Sequence, residues 1–318
     1  MSFTSKVLVT GGAGFIGSNL AEELIRQGAR VTIIDNFTTG FRENLEEIRG
    51  DFEFIEGDIN DETALTNAIE GVEIVFHEAA LPSVPRSVED PAETHRVCVD
   101  GTFNLLNKAK DVGVRRFIYA ASSSAYGNQP VLPKVETMRP DPPSPYAVAK
   151  LTGEYYCRAF HHVYGIETMS LRYFNVFGPR QNPASMYSGV ISRFIDALMT
   201  GQSPVIYGDG EQSRDFTYIS NVVNANIKAA QTTLGFGETI NVANGDRITL
   251  NSLLDILKTI TNSPNTIADY QPPRSGDVTH SQADNARAIE CLDYSVIVGL
   301  EEGLRKTIDW WKSSRFAK

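Results

Sequence analysis

The stretch that decides the fold lies near the N-terminus and reads Val7-Leu8-Val9-Thr10-Gly11-Gly12-Ala13-Gly14-Phe15-Ile16-Gly17. Its apolar beginning, Val7 to Thr10, is typical of a strand covered on both faces, and the amphipathic segment Ser18 to Gln27 predicts a helix. The glycines between them let the backbone approach a pyrophosphate, while the helix N-terminus supplies unpaired N–H groups. This order of strand, loop and helix predicts a dinucleotide-binding loop rather than a flexible connection.

The second strand of this pattern, Val31 to Asp35, ends in an acid 18 residues beyond Gly17. A carboxylate there can accept hydrogen bonds from an adenine ribose and would repel a 2′-phosphate, so the sequence favours NAD over NADP. A plain turn residue at the strand end is the alternative. After the third strand, Asp58 is either an adenine contact, together with Ile59, or the cap of a helix that begins near Asp61.

The same pattern continues along the first half of the chain, where short β-branched runs alternate with helical segments. The runs are Val7–Thr10, Val31–Asp35, Phe52–Ile55, Ile74–Phe76, Phe117–Ala120 and Thr168–Arg172. They predict an α/β fold with a Rossmann-type, doubly wound parallel sheet. We expect an NAD-binding domain over residues 1–174 and a smaller α/β substrate-binding domain over 175–318, with residues 216–242 returning to the main sheet.

The overall charge excludes some classes of partner. The 318 residues include 29 Lys and Arg against 39 Asp and Glu, which gives a net charge of −10 and no positive field that would attract nucleic acid or anionic lipid. An anionic ligand therefore needs a local basic site. Hydrophobic residues are 42% of the chain, which is enough for a substantial core.

The cysteines and histidines predict neither a disulfide framework nor a metal site. Cys98, Cys157 and Cys291 are widely spaced, His77-Glu78 lacks a second histidine four residues on, and His161-His162 cannot share a helical face. The N-terminus has no signal-peptide pattern, and no window reaches the roughly 18 apolar residues of a membrane span. We therefore expect a cytoplasmic protein without a metal and without a membrane partner.

A second constellation carries the chemistry. Tyr146 and Lys150 lie at i and i+4 of a helix that Ser144-Pro145 introduces, so both point to one face. A free tyrosine, with a pKa of about 10, is a poor base at neutral pH, but a neighbouring lysine cation stabilises its phenolate. The hydroxyls of Ser122, Ser123 and Ser124 follow the fifth strand, at the sheet edge where ligands bind in this fold. Without these serines, a tyrosine packed beside a surface lysine would be the simpler interpretation.

Taken in order, the motifs cover nearly the whole chain and identify a family. They are Thr10 to Gly17, Ser122 to Ser124, Tyr146 with Lys150, Arg172 to Gly178, and Gly208-Asp209-Gly210 with Arg214-Asp215-Phe216. This set resembles the extended short-chain dehydrogenase/reductase family, specifically its UDP-sugar 4-epimerases of the UDP-galactose and UDP-N-acetylglucosamine type. One position departs from the family pattern, because Cys98 stands where an asparagine near the cofactor is usual.

The resemblance implies a mechanism and a set of site residues. Ser122, Tyr146 and Lys150 are the catalytic triad, Tyr146 takes the proton from the sugar O4, and the 4-keto sugar turns over in its pocket. For NAD the implied residues are Gly11, Gly14, Phe15, Ile16, Gly17, Asp35, Asn36, Asp58, Ile59, Ala79, Ala80, Tyr146, Lys150 and Tyr173. For the UDP-sugar they are Ser83, Ser122, Ser123, Asn175, Gln181, Val190, Val205, Tyr207, Arg214, Arg274, Asp277 and Ser281.

The reaction and the sugar follow from a few of these positions. Dehydratases and decarboxylases of the superfamily carry acids just after the catalytic hydroxyl, whereas this chain has Ser123 and Ser124, which favours epimerisation. In these epimerases one position gates the pocket around the sugar C2 substituent, and it aligns with the small Ser281. We therefore expect UDP-GlcNAc/UDP-GalNAc interconversion, with UDP-Glc/UDP-Gal activity as well, because pocket bulk discriminates by only about 1–3 kcal/mol per group.

Two alternatives and an oligomeric state complete the expectations. A UDP-glucuronate 4-epimerase would need a further cation near the sugar carboxylate, for which Arg86 and Arg180 are candidates. A non-catalytic NAD or nucleotide-sugar sensor on the same fold would have no need of both Tyr146 and Lys150. The helices around residues 100–112 and 147–164 resemble those that pair in the family's homodimers, so we expect a homodimer, ordinary burial against the chain's own core being the alternative.

Overall fold

The computed structural model describes residues 4–182, 189–273 and 278–314. Its strands are β1 Lys6–Thr10, β2 Arg30–Asp35, β3 Glu53–Glu56, β4 Ile74–His77, β5 Arg116–Ser122, β6 Glu167–Tyr173, β7 Val176–Phe177, β8 Val205–Tyr207, β9 Ser213–Arg214, β10 Thr217–Tyr218, β11 Glu238–Val242, β12 Ile248–Thr249 and β13 Asp269–Gln271. Seven of them form one parallel sheet in the order β11-β6-β5-β4-β1-β2-β3. The prediction of a Rossmann-type, doubly wound α/β fold is confirmed.

Twelve α-helices lie in the described part of the chain. They are α1 Phe15–Arg26, α2 Arg42–Glu46, α3 Glu62–Ile69, α4 Val84–Glu89, α5 Pro91–His95, α6 Gly101–Asp111, α7 Pro145–Tyr164, α8 Val190–Met199, α9 Ile219–Gln231, α10 Leu250–Ile260, α11 Ala286–Leu292 and α12 Leu300–Ser313. A π-helical turn, Arg96–Asp100, precedes α6, and a 3₁₀ turn, Ser123–Tyr126, follows β5. Across these residues, no helix has the length and apolar character needed to cross a membrane.

The sheet is apolar on both faces, which explains the unbroken apolar runs of the sequence. Alternate residues of each strand enter opposite layers. Val9, Ile33 and Phe76 belong to the layer that includes residues of α1 and α9, whereas Leu8 and Val75 belong to the layer under α3, α6 and α7. Burying one such side chain stabilises the fold by about 1.5–3 kcal/mol. The apolar side chains on each face of the strands therefore hold the helices of that layer against the sheet.

The chain order of the strands reverses between β1 and β4. The two strands are parallel neighbours in the middle of the sheet. β2 and β3 follow on the side of β1, whereas β5 and β6 follow on the side of β4. In open α/β sheets a reversal of this kind leaves a crevice at the carboxyl ends of the strands. The fold thus places a cleft beside Thr10, the last residue of β1, where the glycine loop begins.

The second half of the chain contributes to the same sheet. The full length of β11 pairs in parallel with β6, from Met169 to Tyr173, and α9 packs beside α1 on one face. The remaining strands form three two-stranded ribbons, of which β8–β13 and β7–β10 are parallel and β9–β12 is antiparallel. The division of the chain at residue 174 into a cofactor and a substrate domain stays a prediction.

An ion pair is buried between α7 and β6. The Arg172 guanidinium donates to both carboxylate oxygens of Glu154, over 2.8 and 2.6 Å, and neither residue is more than 4% exposed. The same guanidinium lies 4.5 Å from the centre of the Tyr126 ring. Because removing one partner strands the other charge in the interior, this pair fixes the position of α7 against the sheet.

We therefore expect Glu154→Gln to lower the free energy of unfolding by about 3–5 kcal/mol, measured by urea denaturation. The control is Glu301→Gln, because Glu301 pairs with Arg305 on the exposed face of α12. The control should unfold at the wild-type urea concentration. Equal midpoints for Glu154→Gln and the control would contradict the proposed role of the buried pair.

Candidate active site

A cleft of about 680 Å³ opens at the carboxyl ends of β1, β4, β5 and β6. All the residues that the sequence predicts for NAD line it: Gly11, Gly14, Phe15, Ile16, Gly17, Asp35, Asn36, Asp58, Ile59, Ala79, Ala80, Tyr146, Lys150 and Tyr173. A smaller cleft of about 220 Å³ adjoins it and shares Asn175 and Gln181 with it. One continuous depression thus joins the glycine loop to the second half of the chain.

The glycine loop is packed so closely that side chains cannot enter it. A Cβ atom on Gly17 would lie 2.3 Å from the carbonyl oxygen of Gly11, and Gly11 itself has a φ of +68° with Ala79 backbone 2.8 Å from its would-be Cβ. No side chain caps the first turn of α1, and that turn has no acidic residue. The uncapped N–H groups and the bare backbone fit a dinucleotide pyrophosphate.

Asp35 lines the cleft and is held in place by the loop itself. Its carboxylate accepts hydrogen bonds from the backbone N–H of Ala13 (3.0 Å) and of Phe37 (2.8 Å). Burial raises the pKa of this carboxyl, and the two backbone donors oppose that shift. Asp35 therefore organises the turn and also faces the cleft, so the two interpretations of the sequence are compatible.

Asp58 does not cap the following helix. The cap of α3 is Asp61, whose carboxylate accepts from the Ala64 N–H. Asp58 instead accepts from the side chain of Asn36 (3.2 Å) and pairs with Arg96 while lining the cleft. The adenine contact that the sequence predicts for Asp58 stays a prediction.

The serine, tyrosine and lysine converge where β5 ends and α7 begins. The Ser144 hydroxyl caps α7 by accepting from the Ala147 N–H (3.2 Å), which orients the first turn. Lys150 is buried and donates to the carbonyl oxygen of Ala120 in β5 over 2.7 Å. Burial raises the pKa of Tyr146, while a hydrogen bond with Ser122 opposes the shift. The three side chains line one part of the cleft, where they can exchange a proton with a bound alcohol.

The neighbouring serines have different surroundings. Ser124 donates to the Ser122 hydroxyl over 2.9 Å, so it orients that group. Ser123, which the sequence placed with the substrate, lines neither of the two clefts in the described structure. The 3₁₀ turn that begins at Ser123 produces this difference, which a run of three identical residues could not reveal.

Apart from Ser123, the residues predicted for the UDP-sugar fall into four groups. Ser83, Ser122, Asn175 and Gln181 line the larger cleft, and Val190, Val205, Tyr207 and Arg214 line the smaller one together with Asn175 and Gln181. Ser281 lies behind Asn175, whose amide donates to its hydroxyl over 3.1 Å and to the carbonyl oxygen of Asp215 over 2.8 Å. Arg274 and Asp277 lie outside the described residues.

Three residues have surroundings that the sequence did not reveal. The Arg180 guanidinium is buried, pairs with Glu22 and Glu47 and donates to the Ser18 carbonyl, so it is not available to a ligand. The Cys98 thiol, within the π-helical turn, accepts from the Leu81 N–H at 3.4 Å and thus supports the loop after β4, which lines the cleft. Arg193 lines the smaller cleft, 6.0 Å from the Tyr207 ring centre.

Fold and site together define a class of protein. A parallel α/β sheet with a dinucleotide cleft, and a serine, tyrosine and lysine beside it, is the arrangement of an enzyme that removes and returns hydrogen at an alcohol carbon. The model of the NAD dependent epimerase/dehydratase family matches residues 7–243. The chain belongs to this family, and its cofactor is NAD.

Individual relatives are similar over nearly their full length. A putative UDP-glucose 4-epimerase of Methanocaldococcus jannaschii is 39% identical over 97% of this chain and 99% of its own. A UDP-N-acetylglucosamine 4-epimerase of Methanobrevibacter ruminantium, solved with UDP-N-acetylmuramic acid, is 39% identical with a TM-score of 0.93 over 98% of this chain and 99% of its own. A UDP-glucuronic acid 4-epimerase of Bacillus cereus, solved with UDP-glucuronic acid and NAD, is 32% identical with a TM-score of 0.90 over 97% and 99%.

Tyr146→Phe removes the hydroxyl that the sequence predicts to exchange the proton and leaves the ring in place. We expect kcat to fall by about 10²–10⁴-fold while the NAD content of the purified protein stays at the wild-type level. Turnover is measured by separating the two sugar nucleotides, and NAD by its release on denaturation. Tyr270→Phe is the matched control because Tyr270 lines neither cleft; near-normal turnover of Tyr146→Phe would remove Tyr146 from this role.

Proposed function

We propose that the protein is a UDP-sugar 4-epimerase. The observation that carries the proposal is the position of Ser122, Tyr146 and Lys150, which line the same cleft as the glycine loop. The relatives with 4-epimerase names support it, because they are similar over nearly the whole of both chains. Both Tyr146 and Lys150 are in place, which favours an enzyme over a sensor.

The chain's own residues then move a proton at the sugar O4. Tyr146 accepts the O4 proton during oxidation and returns it during reduction, so its hydroxyl is restored at the end of each cycle. The Lys150 cation, which donates to the Ala120 carbonyl oxygen, stabilises the phenolate form in this proposal. Ser122, which is hydrogen-bonded to Tyr146, orients the reacting oxygen. When bound, NAD supplies a hydride acceptor and donor for the sugar C4. Because both steps occur in one cleft, the cycle needs no outside oxidant.

The nucleotide occupies the smaller cleft in this proposal. Val205 and Tyr207 flank the uracil, and Arg214 lies where it can reach the diphosphate. The Arg214 guanidinium donates to the carbonyl oxygens of Ser213 and Thr279 over 3.0 Å, which fixes its orientation. We also propose Arg274 and Asp277, which lie outside the described residues, as contacts of the UDP-sugar.

The sugar we propose is N-acetylated, and Ser281 supports that choice through Asn175. Ser281 is 9% exposed and accepts a hydrogen bond from the Asn175 amide, and Asn175 lines both clefts. A bulky residue at 281 would displace Asn175 towards the sugar and narrow the pocket. The small serine thus leaves space for an acetamido group.

Uronic acids are the second candidate. Of the two cations considered for the sugar carboxylate, Arg180 is already bound by two glutamates, so the alternative depends on Arg86, which lines the larger cleft. A variant without the Arg86 charge distinguishes the two candidate substrates, because only the carboxylate of a uronate needs a cation there.

A panel of substrates tests the proposal. Purified protein should convert UDP-GlcNAc to a mixture with UDP-GalNAc without added cofactor, and UDP-Glc more slowly. Turnover is followed by chromatography of the sugar nucleotides. Turnover of UDP-GlcA without turnover of N-acetylated sugars would reject the N-acetylated substrate and move the assignment to a uronate.

Two variants sharpen this test. Ser281→Tyr should lower kcat/KM for UDP-GlcNAc about 10–100-fold more than for UDP-Glc, because the lost space corresponds to about 1–3 kcal/mol. Arg86→Gln should leave the ratio of the two unchanged. If Ser281→Tyr lowered kcat/KM equally for both sugars, residue 281 would not control the space around the sugar C2 substituent.

We also propose a homodimer, formed through α6 and α7. These adjacent helices present apolar side chains to solvent, among them Phe103 (40% exposed), Tyr155 (56%) and Val163 (69%). Such a face is typical of a subunit interface.

The three thiols are free and buried, which supports the cytoplasmic location that the cysteine pattern predicts.

Light scattering after size exclusion tests the dimer. The wild type should elute at twice the chain mass of 35.0 kDa, whereas Tyr155→Asp combined with Val163→Asp should elute as a monomer, because two charges would be buried in the interface. Ile267→Asp is the control, as Ile267 is exposed outside these helices. A dimeric double variant would locate the interface elsewhere.

A further inference from the structure

Glu78 lines the cofactor cleft, but the mechanism above does not use it. It follows β4 directly, and its carboxylate accepts a hydrogen bond from the Tyr173 hydroxyl at the end of β6, over 2.8 Å. β5 lies between these two strands and presents the small Ala120 to the same layer as Tyr173. The Glu78–Tyr173 bond therefore spans three strand ends along the floor of the cleft.

The Tyr173 hydroxyl is held from a second side as well. Asn226, on α9 and fully buried, donates to it from Nδ2 over 2.8 Å, and its Oδ1 is 3.1 Å from the same hydroxyl. The Asn226 amide also donates to the Val222 carbonyl over 2.9 Å, so its orientation is fixed. Glu78, Tyr173 and Asn226 thus form one hydrogen-bonded chain from the cleft to α9, which we call the floor network.

The charges around Glu78 are few. Lys150 and Tyr146 approach from α7 and Tyr173 from β6, while α9 contributes the neutral Asn226 and the first turn of α1 has no acidic residue. His77, next to Glu78, is buried and neutral at physiological pH because burial lowers its pKa to about 3. Burial raises the pKa of Glu78 to about 7, with the Tyr173 bond and Lys150 opposing the shift. The protonated and ionised forms of Glu78 are thus close in free energy near pH 7.

A bound dinucleotide would change this balance. The two negative charges of its diphosphate outweigh the single positive charge of the oxidised nicotinamide, so it brings net negative charge into the cleft that Glu78 lines. The diphosphate is expected at the glycine loop, and the backbone of Glu78 adjoins that loop at Gly11. Like charges in a shared site favour protonation of one of them. An uncharged carboxylic acid, by contrast, can remain bonded to Tyr173 and donate its own proton.

We propose that Glu78 is a positioning residue for NAD, which the protein binds with Glu78 as an uncharged acid anchored by the floor network. Ionisation of Glu78 then weakens cofactor binding, which is measured in the absence of a sugar and therefore apart from any effect of the Glu78 charge on Tyr146 and Lys150. The inference depends on the NAD dependence of the family and not on the identity of the sugar.

The sign of the pH effect follows from linkage. If the NAD-bound form holds one proton more than the free form, the dissociation constant is constant below the pKa of the free form. It rises up to tenfold per pH unit above that pKa, until the pKa of the bound form is reached. The wild type should therefore bind NAD at pH 6 and lose affinity between about pH 7 and pH 8.5.

The experiment is calorimetric titration of NAD into NAD-depleted protein from pH 6 to pH 8.5, compared for wild type, Glu78→Gln and Tyr173→Phe. Glu78→Gln keeps the shape without the titration, so it should match the wild type within about twofold at pH 6 and show a flat profile. Tyr173→Phe breaks the floor network but keeps the acid, so we expect weaker binding at pH 6 and a retained pH dependence. Glu70→Gln, on the exposed end of α3, is the carboxyl control and should follow the wild type.

The proposal is overturned if Glu78→Gln keeps the pH dependence of the wild type, or if the wild-type profile is flat. It is also overturned if Glu78→Gln loses NAD equally at every pH, since that result indicates a purely structural role. Because binding is measured without a sugar, an error in the proposed substrate leaves these outcomes unaffected.

Discussion

The structure depends on the close approach of the glycine loop to the ends of β1 and β4. The Gly11 backbone lies against Ala79, and Gly17 lies against the carbonyl oxygen of Gly11, so the loop, α1 and β4 have a single relative arrangement. This contact places the N-terminus of α1 over the sheet at the point where the strand order reverses. The cofactor cleft, and with it the position of every group that acts on the substrate, follows from that placement.

One helix, α7, carries most of the remaining site. Tyr146, Lys150 and Glu154 follow one another at intervals of four residues, so all three face the sheet. Lys150 is held by a backbone carbonyl and Glu154 by Arg172, which means that the buried charges of the helix have partners. The anchoring by Glu154 and the proposed proton exchange by Tyr146 thus belong to one helical face, and a shift of the helix would change both.

Relatives with the same fold act on different sugars, so the fold does not set the sugar. We propose that a few side chains around the junction of the two clefts set it, where Asn175 is bonded to both Ser281 and the Asp215 carbonyl. The buried Asp215 carboxylate accepts from the backbone of Asn244, Gly245 and Ala283, which holds these loops together. The proposed specificity position and the anchor of these loops therefore belong to one small polar cluster.

The sequence by itself determined the parallel sheet, the NAD loop and the Tyr146–Lys150 pair, because strand and helix periodicity and an i, i+4 spacing are local properties. Only the tertiary structure decided that Arg180 is bound by glutamates from α1 and the end of α2, that Ser281 lies behind Asn175, and that Glu78 faces the cleft. Glu78 and Tyr173 are 95 residues apart, and the other pairs are separated by more than 100. Such contacts arise from the packing of distant segments, for which neighbouring residues carry no signal.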